Sequence, residues 1–595
     1  MGRPQISTAP DSSDGDIISV TGRRWQLREH NARDALAISQ QLGLPELMGR
    51  ILASRKVNAE QAEAFLKPTL REYLPDPFHL KDMDKAAKRV VQAIQNKETI
   101  GVFGDYDVDG ATSSALLMRY FRALNVKTLV HIPDRMKEGY GPNTPALLSL
   151  KERGASVVIT VDCGTMAFEP LQAAKDAGLD VIVVDHHKSD THMPAAYAIV
   201  NPNRFDESSS HTQLAAVGVT FLLLVALNKL LREAGAQVSD LMQFLDIVAL
   251  GTICDVVPLT GANRALVTQG LKIMQQRSNT GIAAAMDTAR LAEAPGTYHA
   301  GFIIGPRINA GGRVGKSDLG VRLLTTEDAL EARAIAEELD HFNAERKAIE
   351  STVMEEAMQD ALALPASDAI IMVAREGWHA GVIGIVAGRL KEHFNKPTAV
   401  IAITDGIGKA SARSITGIDL GAAVVAATHT DLLIGGGGHA MAAGFTIVED
   451  HITALRNFFN ERLGAKMQEL SHERMLSIDG TVSLQGVTPE LVRLIEQAGP
   501  FGAGNSSVRL QLSTVRVVNA SVVGENHVRA IIIDGNVGAS SPGLKVMAFR
   551  SVGTAIGDAL LNAKGRMFHI AGQARINQWQ GRESVDFFID DIAIC

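Results

Sequence analysis

The sequence predicts an α/β protein of several domains: a parallel-sheet body, a long connecting helix, a smaller α/β domain and a C-terminal β-barrel. Three features carry that expectation. A β-α-β rhythm sets in at about residue 86, a long charged helical stretch interrupts it, and short strands separated by Gly, Asn and Ser follow residue 466 or so. A chain of 595 residues also exceeds what one core organises, so roughly two to four domains are expected.

In chain order, "TIGVFGD" reads as a strand, "ATSSALLMRYFRAL" as a helix, "VKTLVHIP" as a strand and "TPALLSLKERG" as a helix. "ASVVITVD", "MAFEPLQAAKDAG" and "LDVIVVD" continue the alternation. The strands are β-branched and almost continuously apolar, as in a parallel sheet covered on both faces. Helical stretches such as "TFLLLVALNKLLREAG" follow. "TTEDALEARAIAEELDHFNAERKAIESTVMEEAMQDALAL" mixes charge signs at helical spacing, which suits a solvated helix joining two bodies and fits a plain surface helix nearly as well. "DAIIMVA", "GVIGIVAGRLKEHF", "PTAVIAI" and "GFTIV" make the smaller α/β domain. The closing strands, from "LSIDGTVSL" to "ESVDFFIDDI", have the number and length of an OB-fold.

Composition narrows the class. Apolar residues at 46% and charged residues at 21% are those of a soluble globular chain. A net charge of -8 argues against a generic nucleic-acid coat while allowing a local basic channel. Cys163, Cys254 and Cys595 are scattered without CxxC spacing, so a disulfide framework or zinc knuckle is not expected and a reducing cytoplasm is. No apolar run approaches the roughly 18 residues of a membrane span, and the polar start lacks a signal-peptide core.

Aspartates stand at or beyond the carboxyl ends of several of these strands: Asp105, Asp107 and Asp109, then Asp162, then Asp185 with His186 and His187 directly after it. Asp255 ends another apolar run, "ALGTICDVVPL". In a parallel sheet those ends share the edge where ligands bind. One such Asp is ordinarily a cap or turn former. Several together would repel at a cost of several kcal/mol, which divalent metal relieves. Carboxylates with imidazole and no thiolate suit Mn²⁺ or Mg²⁺. A bridging carboxylate, with Asp162 as the candidate, would hold two ions about 3.5–4 Å apart and activate a water for phosphate ester hydrolysis.

Three further motifs fit a phosphate-rich substrate. "GPRINAGGRVG" places Arg307, Asn309 and Arg313 around a glycine pair, and "GKASARSI" supplies Ser411 and Arg413 on one side if extended. "IGGGGHAMAAGF" sets a glycine run, Gly437 included, before His439, where backbone N–H groups can approach an anion. Phe549, Phe568 and Trp579 lie in the barrel segment; core packing is expected of the two Phe, and Trp579 is the better surface candidate for stacking on bases.

Taken in order, "GDYDVDG", "VDCG", "DHH", "GTICDVVPL", "RINAGGR", "SARS" and "GGGGHAMAAGF" resemble the DHH phosphoesterase superfamily and, within it, the RecJ single-stranded-DNA exonucleases. The N-terminal "FLKPTLREYLPDPFHLKDMDKA" and the β-rich end are similar too. The resemblance implies metal ligands at Asp107, Asp109, Asp162, His186 and Asp255, with Asp105 as a further candidate and His187 close to the scissile phosphate. Asp162, His187 and Asp109 are the expected catalytic set. Many superfamily members carry a histidine ligand where this chain has Phe103, a loss for which Asp105 is the candidate compensation.

The implied activity is metal-dependent 5′→3′ degradation of single-stranded DNA to 5′-mononucleotides in recombination and repair, by a cytoplasmic monomer. Candidate protein partners are a single-strand-binding protein and a RecQ-type helicase. The expected division is a disordered tail at 1–20, a DHH catalytic domain with an N-terminal helical extension at 21–300 and a connecting helical region at 301–365. A DHHA1-like substrate-binding domain at 366–466 and an OB-fold-like single-strand-binding domain at 467–595 complete it. The competing readings are a small-molecule phosphodiesterase of the same superfamily, acting on oligo- or cyclic dinucleotides, and a non-catalytic scaffold that keeps the fold.

Overall fold

The structure is a computed structural model that describes residues 17–135, 137–470, 474–536, 542–579 and 581–595. The chain divides into two compact units, one of residues 76–255 and 270–472, the other of 1–75, 256–269 and 473–595.

The first unit is built on a five-stranded parallel sheet. Its strands run Thr128–His131, Thr99–Gly104, Ala155–Val161, Asp180–Val184 and Ala198–Val200 from edge to edge. Side chains on both faces of the central strands are buried, which is why they read as unbroken apolar runs rather than alternating ones. The strand order reverses between Thr99–Gly104 and Ala155–Val161, so a crevice opens at their carboxyl ends, where Asp105 and Asp162 follow. The helix Val108–Ala123 starts at once because Asp107 caps it, its Oδ1 accepting from the N–H groups of Asp109 and Gly110 at 2.8 and 3.1 Å. Gly110 permits the tight junction: a Cβ there would lie 2.4 Å from the Asp105 carbonyl oxygen.

The helix Ala329–Leu362 is the long one expected, capped by Asp328. It is less solvated than its charge pattern suggests. Asn343, Arg346 and Glu350 are buried on one face, Arg346 donates to Asn343 and pairs with Glu350, and Glu350 also pairs with Arg389 at 2.6 Å. A second, mixed sheet follows in the order Gly435–His439, Ala442–Val448, Ile407–Arg413, Thr398–Thr404 and Ile371–Glu376. Only its last two strands are parallel, joined through the helix Ile383–Phe394.

In the other unit, Leu510–Val523, His527–Asp534, Leu544–Ala548, Arg582–Ile594 and Met567–Trp579 close into a ring, because the first of them also pairs with the last. This is the expected OB-like barrel. The strand Arg23–Leu27 pairs in parallel with Arg474–Ile478. Helices Ala32–Leu42 and Glu46–Ser54 send Ile38, Met48 and Ile51 into one core with Leu510, Ile570 and Phe587. The N-terminal helices that the sequence division places with the parallel sheet therefore share their hydrophobic core with the barrel. The reason is that their apolar faces match barrel residues distant in sequence, which periodicity does not reveal. Residues 1–16 of the expected tail, and the side chain of Trp579, lie outside the described residues. Phe568 is in the barrel core as expected, whereas Phe549 is exposed and stacks face to face on Phe588 at 5.4 Å.

Candidate metal centre

The acids of the first sheet's carboxyl edge converge. In three overlapping groups the potential ligand atoms lie within 4.8 Å of one another: Asp105 with Asp107 and Asp162, Asp109 with His186 and Asp255, and Asp162 with His186 and His187. Asp162 belongs to two groups, the position a bridging carboxylate needs. Its backbone is left-handed at φ 61, tolerated by Asp better than by most residues. Asp109 is fully buried, and its two oxygens accept from the Ala216 and Val217 N–H groups at 2.7 and 2.9 Å, at the start of the helix Ala216–Glu233. Asp255 arrives at the end of the helix Leu245–Cys254 rather than at a strand end.

The protein leaves this cluster unsatisfied. Asp105 Oδ1, Asp162 Oδ1, His186 Nε2 and Asp255 Oδ2 are buried without a hydrogen-bond partner. Burial, followed by the charge of Asp107, holds Asp105 and Asp162 well above the usual carboxylate range. The same causes push Asp109 up to about 7, and burial with the Asp109 charge pushes Asp255 up to about 9. His186 is lowered to about 4 by burial and by neighbouring His187, so its lone pair is available. Orphaned carboxylate oxygens and an unprotonated imidazole nitrogen are the donors a divalent ion of the Mn²⁺ or Mg²⁺ type takes, so the residues present fit the implied metal.

His187 is set differently. Its Nδ1 lies 2.7 Å from Asp185 Oδ1, which also accepts from the backbone N–H groups of His186 and His187. Burial works against a proton on His187, but the bond to Asp185 and that carboxylate's charge outweigh it and raise the group to about 9. Asp185 thus orients the histidine pair. Phe103 is buried in the core and stacks on His131 at 5.2 Å, so it offers the cluster nothing, while Asp105 sits among the grouped acids.

Opposite the acids, cations gather. "RINAGGR" forms part of the helix Gly305–Val314, not a loop, and its glycine pair serves packing: a Cβ on Gly312 would lie 2.7 Å from the Tyr106 carbonyl oxygen. That approach brings Arg313 near Asp107 and Tyr106. Burial lowers Arg313 to about 10, with Arg135 and Arg346 adding to the effect. Ser411 and Arg413 share one face of the strand Ile407–Arg413, and Arg413 donates to Ser411 Oγ at 3.2 Å. Arg135, Lys409 and Ser411 line a cavity of 430 Å³ with Tyr106 and Tyr140.

Known proteins match nearly the whole of this chain. Over 566 residues it is 34% identical to the single-stranded-DNA-specific exonuclease RecJ of Escherichia coli (strain K12), covering 92% of this chain and 96% of the relative. The chain belongs to the RecJ family. It is likewise 33% identical to the RecJ exonuclease of Bacillus subtilis (strain 168), covering 96% of this chain and 71% of that one. The DHH family N-terminal domain matches residues 99–252, the DHHA1 domain 367–465 and the RecJ OB domain 478–591. Among solved structures, a RecJ in complex with Mn²⁺ from Thermus thermophilus superposes with a TM-score of 0.79 at 28% identity, covering 96% of this chain and 79% of that one. The same protein in complex with Mg²⁺ gives 0.75 at 27% identity, over 96% of this chain and 78% of that one.

Against this RecJ framework two expectations change. Arg307 is committed elsewhere, its guanidinium paired with Asp340 at 2.9 Å and donating to the Ile303 carbonyl, because the helix turns it toward the long connecting helix. Asn309 lies half-buried on the same helix as Arg313. The glycine run is the edge strand Gly435–His439, and Gly436 is required by packing, since a Cβ would lie 2.7 Å from that of Phe445. Gly437 has open space at that position, and exposed His439 stands near Lys188 and Arg413. Sequence reasoning missed Arg135 and Tyr140. Their signal was a basic and an aromatic residue in "DRMKEGYG", the loop after the second strand's carboxyl end.

Proposed function

We propose that the chain is a metal-dependent exonuclease that hydrolyses single-stranded DNA in the 5′→3′ direction to 5′-mononucleotides. The observation that carries this reading is the set of orphaned carboxylate and imidazole atoms at the switch point of a parallel sheet, facing a cavity lined by Arg135 and Ser411. Asp105, Asp107, Asp109, Asp162, His186 and Asp255 would hold two Mn²⁺ or Mg²⁺ ions. When bound, the ions supply Lewis acidity toward the scissile phosphate and activate the attacking water. Asp185 orients His187 through the 2.7 Å contact of its Oδ1 with Nδ1, leaving Nε2 to meet a phosphate oxygen. Arg313, Arg413 and Ser411, with Arg135, would hold the terminal phosphate, and Asn309, Gly437 and His439 would flank the backbone. Half-buried guanidinium groups suit that task because their forks bind phosphate oxygens bidentately.

Residues 467–595 would bind the strand beyond the site. On the barrel, His527, Phe549 and Phe588 form a continuous set of ring contacts ended by Arg575 over the Phe588 face at 5.0 Å. An exposed aromatic with a nearby guanidinium is a sequence-tolerant platform for bases. Within the other unit, residues up to 300 would be catalytic, 301–365 connecting and 366–466 substrate-binding. A single-strand-binding protein and a RecQ-type helicase would supply the strand in the cytoplasm. Among the described residues no helix is long and apolar enough to cross a membrane.

A time course on 5′-labelled and 3′-labelled single strands with Mn²⁺ or Mg²⁺ tests the reading. Early release of labelled mononucleotide from the 5′ end is expected. Turnover of dinucleotides alone would contradict it.

A further inference from the structure

Next to the cavity lined by Arg135 and Ser411 lies a second, larger one of 770 Å³ with different chemistry. Tyr140 lines both. The second cavity is walled by Tyr140, Pro142, Met166 and Phe168, and reaches Asp185 and His187 on one side and His439 on another. Tyr140, Met166 and Phe168 are 55%, 52% and 37% exposed. Three large apolar side chains open to solvent around one concavity are an unusual surface for a soluble protein and mark a ligand site.

The walls are held in place. The Tyr140 hydroxyl donates to the Asp162 carbonyl oxygen at 3.1 Å, and its ring meets the His187 ring edge-on at 5.9 Å. Met166 and Phe168 belong to the turn that leads from Asp162 into the helix Phe168–Asp176. That turn is tied down where the Thr165 N–H donates to Asp185 Oδ2 at 3.1 Å. The residues that place the histidines therefore also place the apolar walls. Lys188 and Glu169 add polar groups to those of Asp185, His187 and His439 at its edges.

We propose that this cavity is a stacking pocket for the base of the 5′-terminal nucleotide, with Met166 and Phe168 as its principal contacts. The inference rests on the exonuclease reading and extends it. With the terminal phosphate in the cationic cavity and the next phosphodiester at the acid cluster, the base between them has the Tyr140 side to turn toward. An apolar pocket with few directional polar groups accepts any of the four bases, because each has a π-face. It would thus position the nucleotide about to be released without imposing a sequence preference.

The test uses the full-length protein with Mn²⁺ and two 5′-phosphorylated single strands that differ only in whether the terminal nucleotide carries a base or is abasic. Wild type is expected to cleave the abasic strand about tenfold less efficiently in kcat/KM, the scale of one base–aromatic stack. The Met166→Ala/Phe168→Ala variant, altered only at partly exposed positions, is expected to lose a similar factor on the normal strand and to treat both strands alike. Arg413→Ala, by contrast, should slow both strands and keep the tenfold preference. Equal cleavage of the two strands by wild type would overturn the pocket, as would a wild-type preference retained in the double variant. An absence of single-strand hydrolysis by wild type would instead sink the exonuclease reading.

Discussion

Two sites, one in each unit, bury charge in opposite ways. Arg264 is fully buried, yet its guanidinium lies over the Phe65 ring at 3.8 Å and donates to the carbonyl oxygens of Phe65 and Ala498 at 3.0 and 3.1 Å, and to that of Gly499. At the carboxyl edge of the parallel sheet, Asp105, Asp162, His186 and Asp255 instead keep buried polar atoms with no hydrogen-bond partner. A lone buried cation whose N–H groups end on backbone carbonyls fits a structural role. A cluster of buried like charges that the protein leaves unsatisfied is a site awaiting a counter-ion, since the repulsion is several kcal/mol and persists only if something relieves it.

The strongest way to break this contrast is Asp162→Asn, which keeps a residue tolerant of the left-handed backbone while removing a charge. Hydrolysis should fall by about 10³-fold or more. The metal-free protein should become more stable by on the order of 2 kcal/mol, because one repelling carboxylate is gone. Paired measurements of exonuclease rate and thermal unfolding in EDTA check both; a less stable variant would place Asp162 among the structural charges.

Arg264→Met should act in the reverse sense. Removing the guanidinium leaves buried carbonyls unpaired, and urea unfolding of the unit that contains it should show a loss of about 3–5 kcal/mol. Unchanged stability would mean that satisfying a charge is no mark of a structural role.

Asp246 sharpens the comparison from a third side. It is buried, accepts from the Ile247 N–H at 2.8 Å and leaves Oδ2 unpartnered, but belongs to none of the metal-capable groups among the described residues. Burial raises it to about 6, against a small opposing pull from the Ile247 N–H and Arg119. Because its folded-state value is raised, its contribution to stability is complete below about pH 4 and is lost as pH rises through about 6. Asp246→Asn should therefore stabilise the protein by about 2–3 kcal/mol at pH 8 and have little effect at pH 4. A benefit that does not vary with pH would contradict that account.

The smallest effect is expected on the barrel. Phe549→Ala should weaken single-strand binding by about 1–2 kcal/mol in fluorescence anisotropy, with the melting temperature unchanged because the ring is exposed. A fall in melting temperature without weaker binding would mark Phe549 as a packing residue.

Much of this contrast was legible in the residues. Apolar runs ending in acids located the sheet edge, since a parallel sheet must bury both faces and can place charge only at its ends. The barrel followed from strand length and turn chemistry, and Ser411 with Arg413 from the period of a strand. Packing decided what could not be read. The glycine pair of "RINAGGR" looks like a loop, but Gly312 is required because a helix presses on Tyr106. Arg307 turns to Asp340, a partner 33 residues away that spacing does not announce. The short strand Ala198–Val200 was too brief to stand out, and Arg135 sits in a loop whose position only the fold reveals.

The most direct test of the central claim is calorimetric titration of Mn²⁺ into the EDTA-treated, full-length protein, beside the same titration of Asp162→Asn. Saturable binding of two ions per chain is expected in wild type, and loss of at least one of them in the variant. No saturable binding, or identical binding by the two proteins, would contradict it.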